Sequence, residues 1–459
     1  VLSDICSELG IGTDCAVRTP FYRPNLFVRT QPVEAKVRDF ELRRLISERE
    51  TGPTVVYVTL QRTAEEVAKM LASAGLPAKA YHAGMKDEVR HSVQEWFMAS
   101  DGGIVVATIA FGMGIDKSNI RAVYHYNLPK SIENYSQEIG RAGRDGENSL
   151  CHTLVSVGDL NVLENFIYGD TPTEESIGSL IEDIFSRGED FAVSIYSLSS
   201  DHDIRNLVTK TLLTDIELRG YLEGGTPFYE DYRINFLTPE EEIIAGFDEE
   251  RGKFLGDLFA QGKRGKKWVS IDPEKAANAM GSTRDRIVKA LDYLGEKSMV
   301  ELGVRGVMNR YRRLRLPEDR AALAAELYRH ALDREQREIG RLQQVLELIE
   351  NEGCQAAALS AHVGETIESP CGHCSWCVGE GEKIVLPERT HPAIEKTLWD
   401  RAVAVREDHQ DVLSSPRVFT RWLCGVTSPA LTRNNLSGNP LFGAFSNVPF
   451  HVVLEQATE

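Results

Sequence analysis

The chain has 459 residues, which is too many for a single hydrophobic core, so a modular protein of roughly three or four domains is expected. Hydrophobic residues make up 42% and charged residues 26%, and no stretch approaches the roughly 20 apolar residues that cross a bilayer, which argues against a membrane protein. The formal net charge of −17 weighs against a uniformly basic nucleic-acid-binding surface. Positive charge therefore matters where it is clustered, at 263–267 and 305–315.

The amino terminus and the cysteines bear on the compartment. The chain begins with Val1, and its first residues have neither a basic segment nor a continuous apolar core, so we expect an unexported and truncated protein. Four of the eight cysteines lie within 354–377, and the others are scattered. This distribution suits a reducing compartment with one metal site, either the bacterial cytoplasm and nucleoid or the eukaryotic nucleus.

Residues 27–160 alternate between apolar runs and amphipathic runs. The first kind predicts β-strands and the second kind predicts α-helices. The expected strands are 54–60, 78–84, 103–108 and 121–129, and the expected helices are 63–74 and 87–99. Because alternating strands and helices form a parallel sheet, a ligand site is expected at the carboxyl ends of the strands.

Two loop-like segments, 106–121 and 135–146, fall at those ends. In the first, Gly112 and Gly114 allow a close approach to phosphate or to a neighbouring lobe. In the second, Gln137, Arg141 and Arg144 recur at spacings of four and three, which predicts one face of a helical turn and a phosphate clamp. Taken singly, either segment could instead be an ordinary turn or a surface ion-pair face.

The amino-acid sequences of these segments resemble motifs of the RecQ family of superfamily 2 DNA helicases. The resemblance rests on AFGMGIDK at 110–117, QEIGRAGRDG at 137–146, YHAGM at 81–85 and RPNL at 23–26. It implies a RecA-like second motor lobe in which Arg141 and Arg144 contact ATP phosphates and Gln137 senses them. It also implies that the loop with Gly114 and Asp116 couples the state of the bound nucleotide to the strength of DNA binding. The residues expected beside the DNA backbone are Thr59, His82 and Thr108, although His82 could equally be a hydrogen-bonded histidine at the edge of the core.

A phosphate-binding GxxxxGK[ST] loop and an acidic Mg²⁺ motif do not occur in this sequence. Both belong to the first motor lobe, of which residues 1–26 resemble only the tail and hinge. The chain is therefore expected to need that lobe for ATP and Mg²⁺, and not to hydrolyse ATP alone. The alternative is a non-enzymatic DNA-binding or strand-annealing protein that kept only the second lobe.

Residues 161–317 form an insert that short bacterial RecQ helicases lack. Helices at 249–261, 273–280 and 282–302, the last with Ser282 as its N-cap, precede an alternating segment with glycines that predicts a basic hairpin. This order predicts a winged-helix module at 248–317, and helix, turn, helix and a β-rich segment within 197–237 predict another at 161–247. Two such modules before the zinc cysteines resemble the RecQ-four subgroup. They could bind DNA or serve only to pack against protein. The expected DNA contacts are Arg284, Arg286 and Lys289 on the third helix and Arg310, Arg312 and Arg313 on the hairpin.

The cysteine cluster has the spacing C-x₁₆-C-x₂-C-x₂-C. Cys354, Cys371, Cys374 and Cys377 would supply four thiolates to one structural Zn²⁺ and leave no open position. Disulfides are the alternative, and His373 could replace one ligand. The spacing also matches the RecQ zinc module. We place this module at 318–388, beginning with a helical hairpin that is broken near 332–334.

Residues 389–459 predict a helical tail with no catalytic constellation, in which Phe419 and Trp422 are core residues. The predicted fold is thus multidomain: an α/β RecA-like lobe at 27–160, two winged-helix modules, a helical zinc-binding module and the tail. The expected partner is DNA, single-stranded or at branched or duplex junctions.

Overall fold

The structure is a computed structural model that describes residues 2–17, 19–112, 115–379 and 381–459. After helix α1, the lobe is built from a sheet flanked by helices. The elements are α1 (Leu2–Leu9), β1 (Leu26–Pro32), α2 (Arg38–Glu48), β2 (Thr54–Tyr57), α3 (Gln61–Ser73), β3 (Ala78–Tyr81), α4 (Asp87–Ala99), β4 (Ile104–Ala107), β5 (Ala122–His125), α5 (Ile132–Ile139), β6 (Ser149–Val155) and α6 (Asp159–Asp170).

The six strands of the lobe lie in the order β1-β6-β5-β2-β4-β3, and every pair is parallel. The central strands β2, β4 and β5 are buried along their whole length because hydrophobic clusters cover both faces. The predicted parallel sheet and its four strands are confirmed. Strands β1 and β6 were not predicted, since β1 contains Arg29, Gln31 and Pro32 and has no apolar run.

The proximal module has winged-helix order: three helices and three strands that alternate as helix, strand, helix, helix, strand, strand. It consists of α7 (Glu174–Ser186), β7 (Asp190–Val193), α8 (Ile195–Asp201), α9 (Asn206–Leu218), β8 (Leu222–Gly224) and the last residues of β12 (Val300–Arg313). Its core also takes in Leu323 and Leu327 from the helix that follows.

The distal module lies between β8 and the end of β12, and so is nested in the wing of the proximal module. Its elements are β9 (Phe228–Phe236), α10 (Glu240–Ala245), α11 (Glu249–Ala260), β10 (Lys263–Arg264), β11 (Val269–Ile271), α12 (Pro273–Met280), α13 (Arg284–Glu296) and the first part of β12. Residues 300–308 of β12 pair with β9, and residues 309–313 pair with β7 and β8. The expected boundary at 247/248 therefore falls inside the distal core, which already includes Tyr232 and Ile243.

Two local predictions in this region were wrong. The segment 300–316 is not a hairpin, because β9 pairs with β12 on both sides of Gly306, which takes a left-handed φ of 68° without reversing the chain. Helix α13 begins one residue later than expected. Its N-cap is Thr283, whose hydroxyl accepts a hydrogen bond from the Arg286 amide, whereas Ser282 belongs to the turn that Gly281 opens.

A single 30-residue helix, α14 (Arg320–Ile349), joins the proximal module to the zinc module. The predicted break near 332–334 was wrong, since that segment contains neither proline nor glycine and the helix buries residues at both ends. Leu323 and Leu327 pack in the proximal core, while Leu342 and Val345 pack on the lobe. The short helices α15 (Gln355–His362) and α16 (Ser375–Val378) follow.

The tail consists of five helices around its own core. They are α17 (Lys396–Asp408), α18 (Gln410–Leu413), α19 (Pro416–Leu423), α20 (Pro429–Arg433) and α21 (Phe450–Thr458). Phe419 and Trp422 are fully buried, as predicted, and Phe450 stacks on Tyr168 of α6 at 4.3 Å between ring centroids. Within the described part of the chain, no helix is long and apolar enough to span a membrane.

Candidate nucleotide, nucleic-acid and zinc sites

Three polar residues follow three neighbouring strands at the same edge of the sheet. Thr108 and His82 come directly after β4 and β3, and Thr59 lies two residues after the end of β2. The carboxyl ends of parallel strands meet at one edge. The Thr59 amide donates to the Asn127 side chain at 3.1 Å. His82 is buried, with Nε2 3.2 Å from a Glu65 carboxylate oxygen, so the structure gives it the hydrogen-bonded position that was the alternative to DNA contact.

The QEIGRAGRDG segment begins on α5 and continues into turns. Helix α5 starts at the N-cap Ser131 and ends at Ile139, so Gln137 is helical and exposed, while Arg141 and Arg144 lie beyond the helix. The predicted shared helical face was therefore wrong. The cause is Gly143, whose φ of 52° ends any helical path and where a Cβ would lie 2.6 Å from the Glu147 carbonyl oxygen.

The two arginines have different environments. Arg141 is only 9% exposed and lies against Gly112, where a Cβ would stand 2.8 Å from its Nη2. It also lies close to Tyr57: burial raises the pKa of this phenol, and the charge of Arg141 opposes that rise. Gly112 thus allows the buried guanidinium of Arg141 to approach the backbone closely. The predicted approach of phosphate or a neighbouring lobe to this loop stays a prediction.

Arg144 lies at the surface and joins the two loop segments. Its Nη1 donates to Asp116 Oδ1 at 2.6 Å, and the Asp116 side chain is 91% exposed. Gly114, the other predicted residue of this loop, lies outside the described residues. The structure therefore brings Arg144 and Asp116 together at an open surface where an anion could replace the carboxylate.

Two anchors of this region escaped the sequence analysis. Arg23 of the RPNL segment donates from Nη1 to the Gly140 carbonyl oxygen at 3.0 Å and from Nη2 to that of Gly143. His125 and Glu138 form a buried pair, with Nε2 2.8 Å from Oε2, that ties β5 to α5. Glu138 lies inside the QEIGRAGRDG motif and could have been singled out from the sequence. Its partner His125 could not, because a histidine in an apolar strand has no distinctive sequence pattern.

The four predicted cysteines form one cluster. Their sulfur atoms all lie within 4.8 Å of one another, and no other group of this kind occurs among the described residues. The Cys371–Cys377 and Cys354–Cys374 sulfur pairs are both 3.9 Å apart, and Cys374–Cys377 is 3.5 Å. A tetrahedral Zn²⁺ with Zn–S bonds of about 2.3 Å separates its sulfur ligands by about 3.8 Å, so the cluster fits this metal.

The four cysteines form no disulfides with one another, and Cys374 is fully buried. Although burial opposes the change, hydrogen bonds from backbone amides and from the neighbouring thiols outweigh it and lower the pKa of the Cys374 thiol to about 7. Burial raises the pKa of the Cys371 and Cys377 thiols. His373 is not part of the cluster, and its ring packs against Phe27 at 4.4 Å.

The predicted DNA contacts on α13 are partly engaged within the distal module. Arg284 donates to the Tyr229 carbonyl oxygen at 2.9 Å and lies over the Phe228 ring. Arg286 lies over Phe254 and is 3.4 Å from Glu250, and Lys289 pairs with Asp285 at 2.7 Å. Arg286 and Lys289 remain exposed, so they are more available to a phosphate than Arg284.

The three arginines of β12 also differ. Arg310 lies over Phe228 at 4.6 Å to the ring centroid, opposite the guanidinium of Arg284. Arg312 is exposed and 3.9 Å from Glu223. Arg313 instead donates to the carbonyl oxygens of Phe185 and Arg187, at 3.4 and 2.6 Å, which fixes it to the end of α7.

Comparisons with known proteins agree with this geometry. Residues 38–146 match the helicase conserved C-terminal domain, and residues 317–378 match the RecQ zinc-binding domain. The chain is 27% identical over 428 residues to "ATP-dependent DNA helicase Q-like 5" of Arabidopsis thaliana, which covers 89% of this chain and 45% of that protein.

Two further relatives match shorter parts of the chain. "ATP-dependent DNA helicase RecQ" of Bacillus subtilis is 40% identical over 38% of this chain and 29% of its own length. "ATP-dependent DNA helicase Q5" of mouse is 43% identical over 31% of this chain and 16% of its own length. The chain thus spans less than half the length of each of these relatives, and its lobe and zinc module are similar to those of RecQ helicases.

Proposed function

We propose that the chain supplies the second motor lobe and the DNA-binding modules of an ATP-dependent DNA helicase of the RecQ type. In this proposal the whole protein moves 3′ to 5′ and acts in DNA repair and recombination. One observation carries the proposal: Arg144 and Asp116, from separate loops, meet at an exposed surface of a parallel α/β lobe. Hydrolysis of ATP needs positive charge at the γ-phosphate, and an exposed arginine on a rigid lobe can supply it.

The nucleotide would lie between this lobe and a first lobe that holds ATP and Mg²⁺. Arg144 would exchange the Asp116 carboxylate for phosphate oxygens, two of which a guanidinium can bind at once, as it binds the two oxygens of a carboxylate. Arg141, buried behind Gly112, would support the loop and its charge, and Gln137 on the exposed side of α5 would sense the phosphates. Since the phosphate-binding loop does not occur in this sequence, the chain alone would not turn over ATP.

DNA would follow the strand edge and the two winged-helix modules. Thr59 and Thr108 would contact the backbone of the tracked strand, with His82 beside them. Arg286, Lys289, Arg310 and Arg312 would contact phosphates, because their guanidinium or ammonium groups are exposed or weakly paired. Arg284 and Arg313, which are bound to backbone carbonyls, would shape these surfaces and contribute less to affinity.

Strand displacement tests the proposal directly. The longer protein that contains this chain is expected to unwind a duplex with a 3′ single-stranded tail in the presence of ATP and Mg²⁺, and to leave the 5′-tailed counterpart intact. DNA binding without displacement of either substrate would support the non-enzymatic alternative. Displacement of the 5′-tailed duplex alone would contradict the assigned polarity.

A further inference from the structure

A groove runs between α6, α9 and α14, where the lobe, the proximal module and the connecting helix meet. Its volume is about 540 Å³. On each of the three helices the lining residues recur mainly at spacings of three and four, as expected for one side of a helix. The lining includes Leu163 and Phe166 of α6, Leu207 and Leu218 of α9, and Ala331 and Arg334 of α14.

Helix α9 exposes apolar surface in this groove. Leu213 and Ile216 of this helix are buried in the proximal core and do not line the groove, whereas Val208 and Leu212 belong to both. The groove face carries Leu207, which is 67% exposed, and Leu218, which is 83% exposed. At a rise of about 1.5 Å per residue these leucines are about 16 Å apart, the length of three helical turns. Two such leucines on the third helix of a winged-helix module are not a surface suited to phosphates.

Ion pairs fix the groove at both ends. At one end Arg205, which precedes α9, pairs with Asp170 of α6 at 2.9 Å. At the other end Arg219, which follows α9, pairs with Glu326 of α14 at 2.7 Å. These pairs link α9 to α6 at one end of the groove and to α14 at the other.

The charges along the walls are unbalanced. The acidic residues of the lining are already paired: Asp170 with Arg205, Asp215 with Arg219, Glu335 with Arg417 and Glu338 with Arg341. Among the described residues, Lys130, Arg334 and Arg337 have no carboxylate partner within ion-pair distance. Lys130 lies over the Phe166 ring at 5.1 Å, and Arg337 Nε donates only to the Asp333 carbonyl oxygen. The groove thus offers apolar contacts along its length and unpaired positive charge on its rim.

We propose that this groove binds an acidic amphipathic helix of about three turns from a partner protein. Its apolar stripe would cover Leu207 and Leu218, and its carboxylates would pair with Lys130, Arg334 and Arg337. Single-stranded nucleic acid fits less well, because bases need an open aromatic face and the Phe166 ring of the lining is covered by Lys130, while the His330 ring contacts Arg219.

Binding of a synthetic peptide to the 459-residue chain tests the proposal. The probe is a fluorescent helix of about 14 residues with leucines at i, i+4, i+7 and i+11 and glutamates beside them, and its matched control has lysines in place of the glutamates. We expect micromolar binding of the acidic peptide, at least about tenfold tighter than the control. Leu218→Glu and Arg334→Glu should each weaken it about tenfold, since one adds a charge to the apolar stripe and the other reverses the rim charge.

Matched variants separate the groove from general charge effects. Leu237→Glu, at another exposed leucine of the distal module, and Arg329→Glu, at an exposed position of α14 outside the groove, should leave peptide affinity unchanged. Equal binding of both peptides, or no binding up to about 1 mM, overturns the proposal. If an oligothymidine binds the chain and displaces the acidic peptide, and Leu218→Glu abolishes this oligothymidine binding, the groove would be assigned to nucleic acid. A dimer of the chain that Leu218→Glu dissociates would assign it to a second copy.

Discussion

The four-cysteine cluster and the Arg144 edge differ in how much of each site this chain supplies. The cysteines come from two short segments of one module, and their sulfur atoms already have the separation of tetrahedral ligands. Arg144 lies at an open surface, where it pairs with the exposed Asp116. The zinc site is closed, because its four ligands come from this module alone. The Arg144 edge is open, because it can bind a nucleotide only when a second surface faces it.

The largest effect is expected from breaking the closed site. Cys374→Ser removes a fully buried ligand, and structural zinc contributes roughly 10–16 kcal/mol of apparent binding energy to the fold that holds it. Elemental analysis should give about one zinc per wild-type chain and almost none for the variant. Limited proteolysis should cleave the variant, but not the wild-type chain, between residues 350 and 387. Cys15→Ser, at an exposed cysteine, should retain the zinc. A zinc-free wild-type chain that resists protease would contradict the ligand assignment.

The next largest effect tests the open edge. In the longer protein, Arg144→Ala should lower ATP turnover by about a thousandfold or more, because the charge at the γ-phosphate is lost, while DNA affinity changes little. Arg62→Ala, an exposed arginine of α3, serves as the control. Steady-state ATP hydrolysis and DNA binding by fluorescence anisotropy measure both quantities. Turnover at the wild-type rate would remove Arg144 from the site.

A smaller effect is expected on the free energy of unfolding of the lobe whose sheet carries the Arg144 edge. Burial lowers the pKa of His152 to about 4. Since the unfolded chain binds this proton at pH values below about 6.5, the histidine destabilises the fold as the pH falls from about 6.5 toward 4, by about 2 kcal/mol between pH 7 and pH 5. Denaturant unfolding of the wild-type chain and of His152→Gln at both pH values should show a smaller pH-dependent loss in the variant. Equal losses would mean that His152 is accessible to protons in the folded state.

The smallest effect separates two neighbouring arginines of β12. Arg312→Ala should weaken DNA binding a few-fold and shift its salt dependence, with unchanged stability, because its side chain is exposed. Arg313→Ala should instead lower the free energy of unfolding by about 1–3 kcal/mol, because two carbonyl oxygens lose their donor, and should leave DNA affinity nearly unchanged. The opposite result would exchange the two roles.

Features set by local chemistry were predictable from the sequence. The cysteine cluster follows from ligand spacing, and the buried strands follow from apolar runs with helices between them. The positions of Thr59 and Thr108 at one edge followed from the parallel sheet without further information.

Features set by pairing over long distances were not predictable in the same way. The path of β12 depends on β9, β7 and β8, which lie far away in the sequence, so a glycine that could have made a turn became a point inside a strand. The burial of Arg141 depends on a loop contact at Gly112, and helical spacing alone could not distinguish it from Arg144.

The most direct test of the contrast is to measure zinc content and DNA-stimulated ATP hydrolysis on the same preparation of the 459-residue chain. We predict about one zinc per chain and no ATP turnover, because the chain carries all four cysteines of the zinc site and, in the proposed function, only one side of the nucleotide site. ATP turnover by this chain alone that Arg144→Ala abolishes would contradict the account, since the edge would then be a complete site.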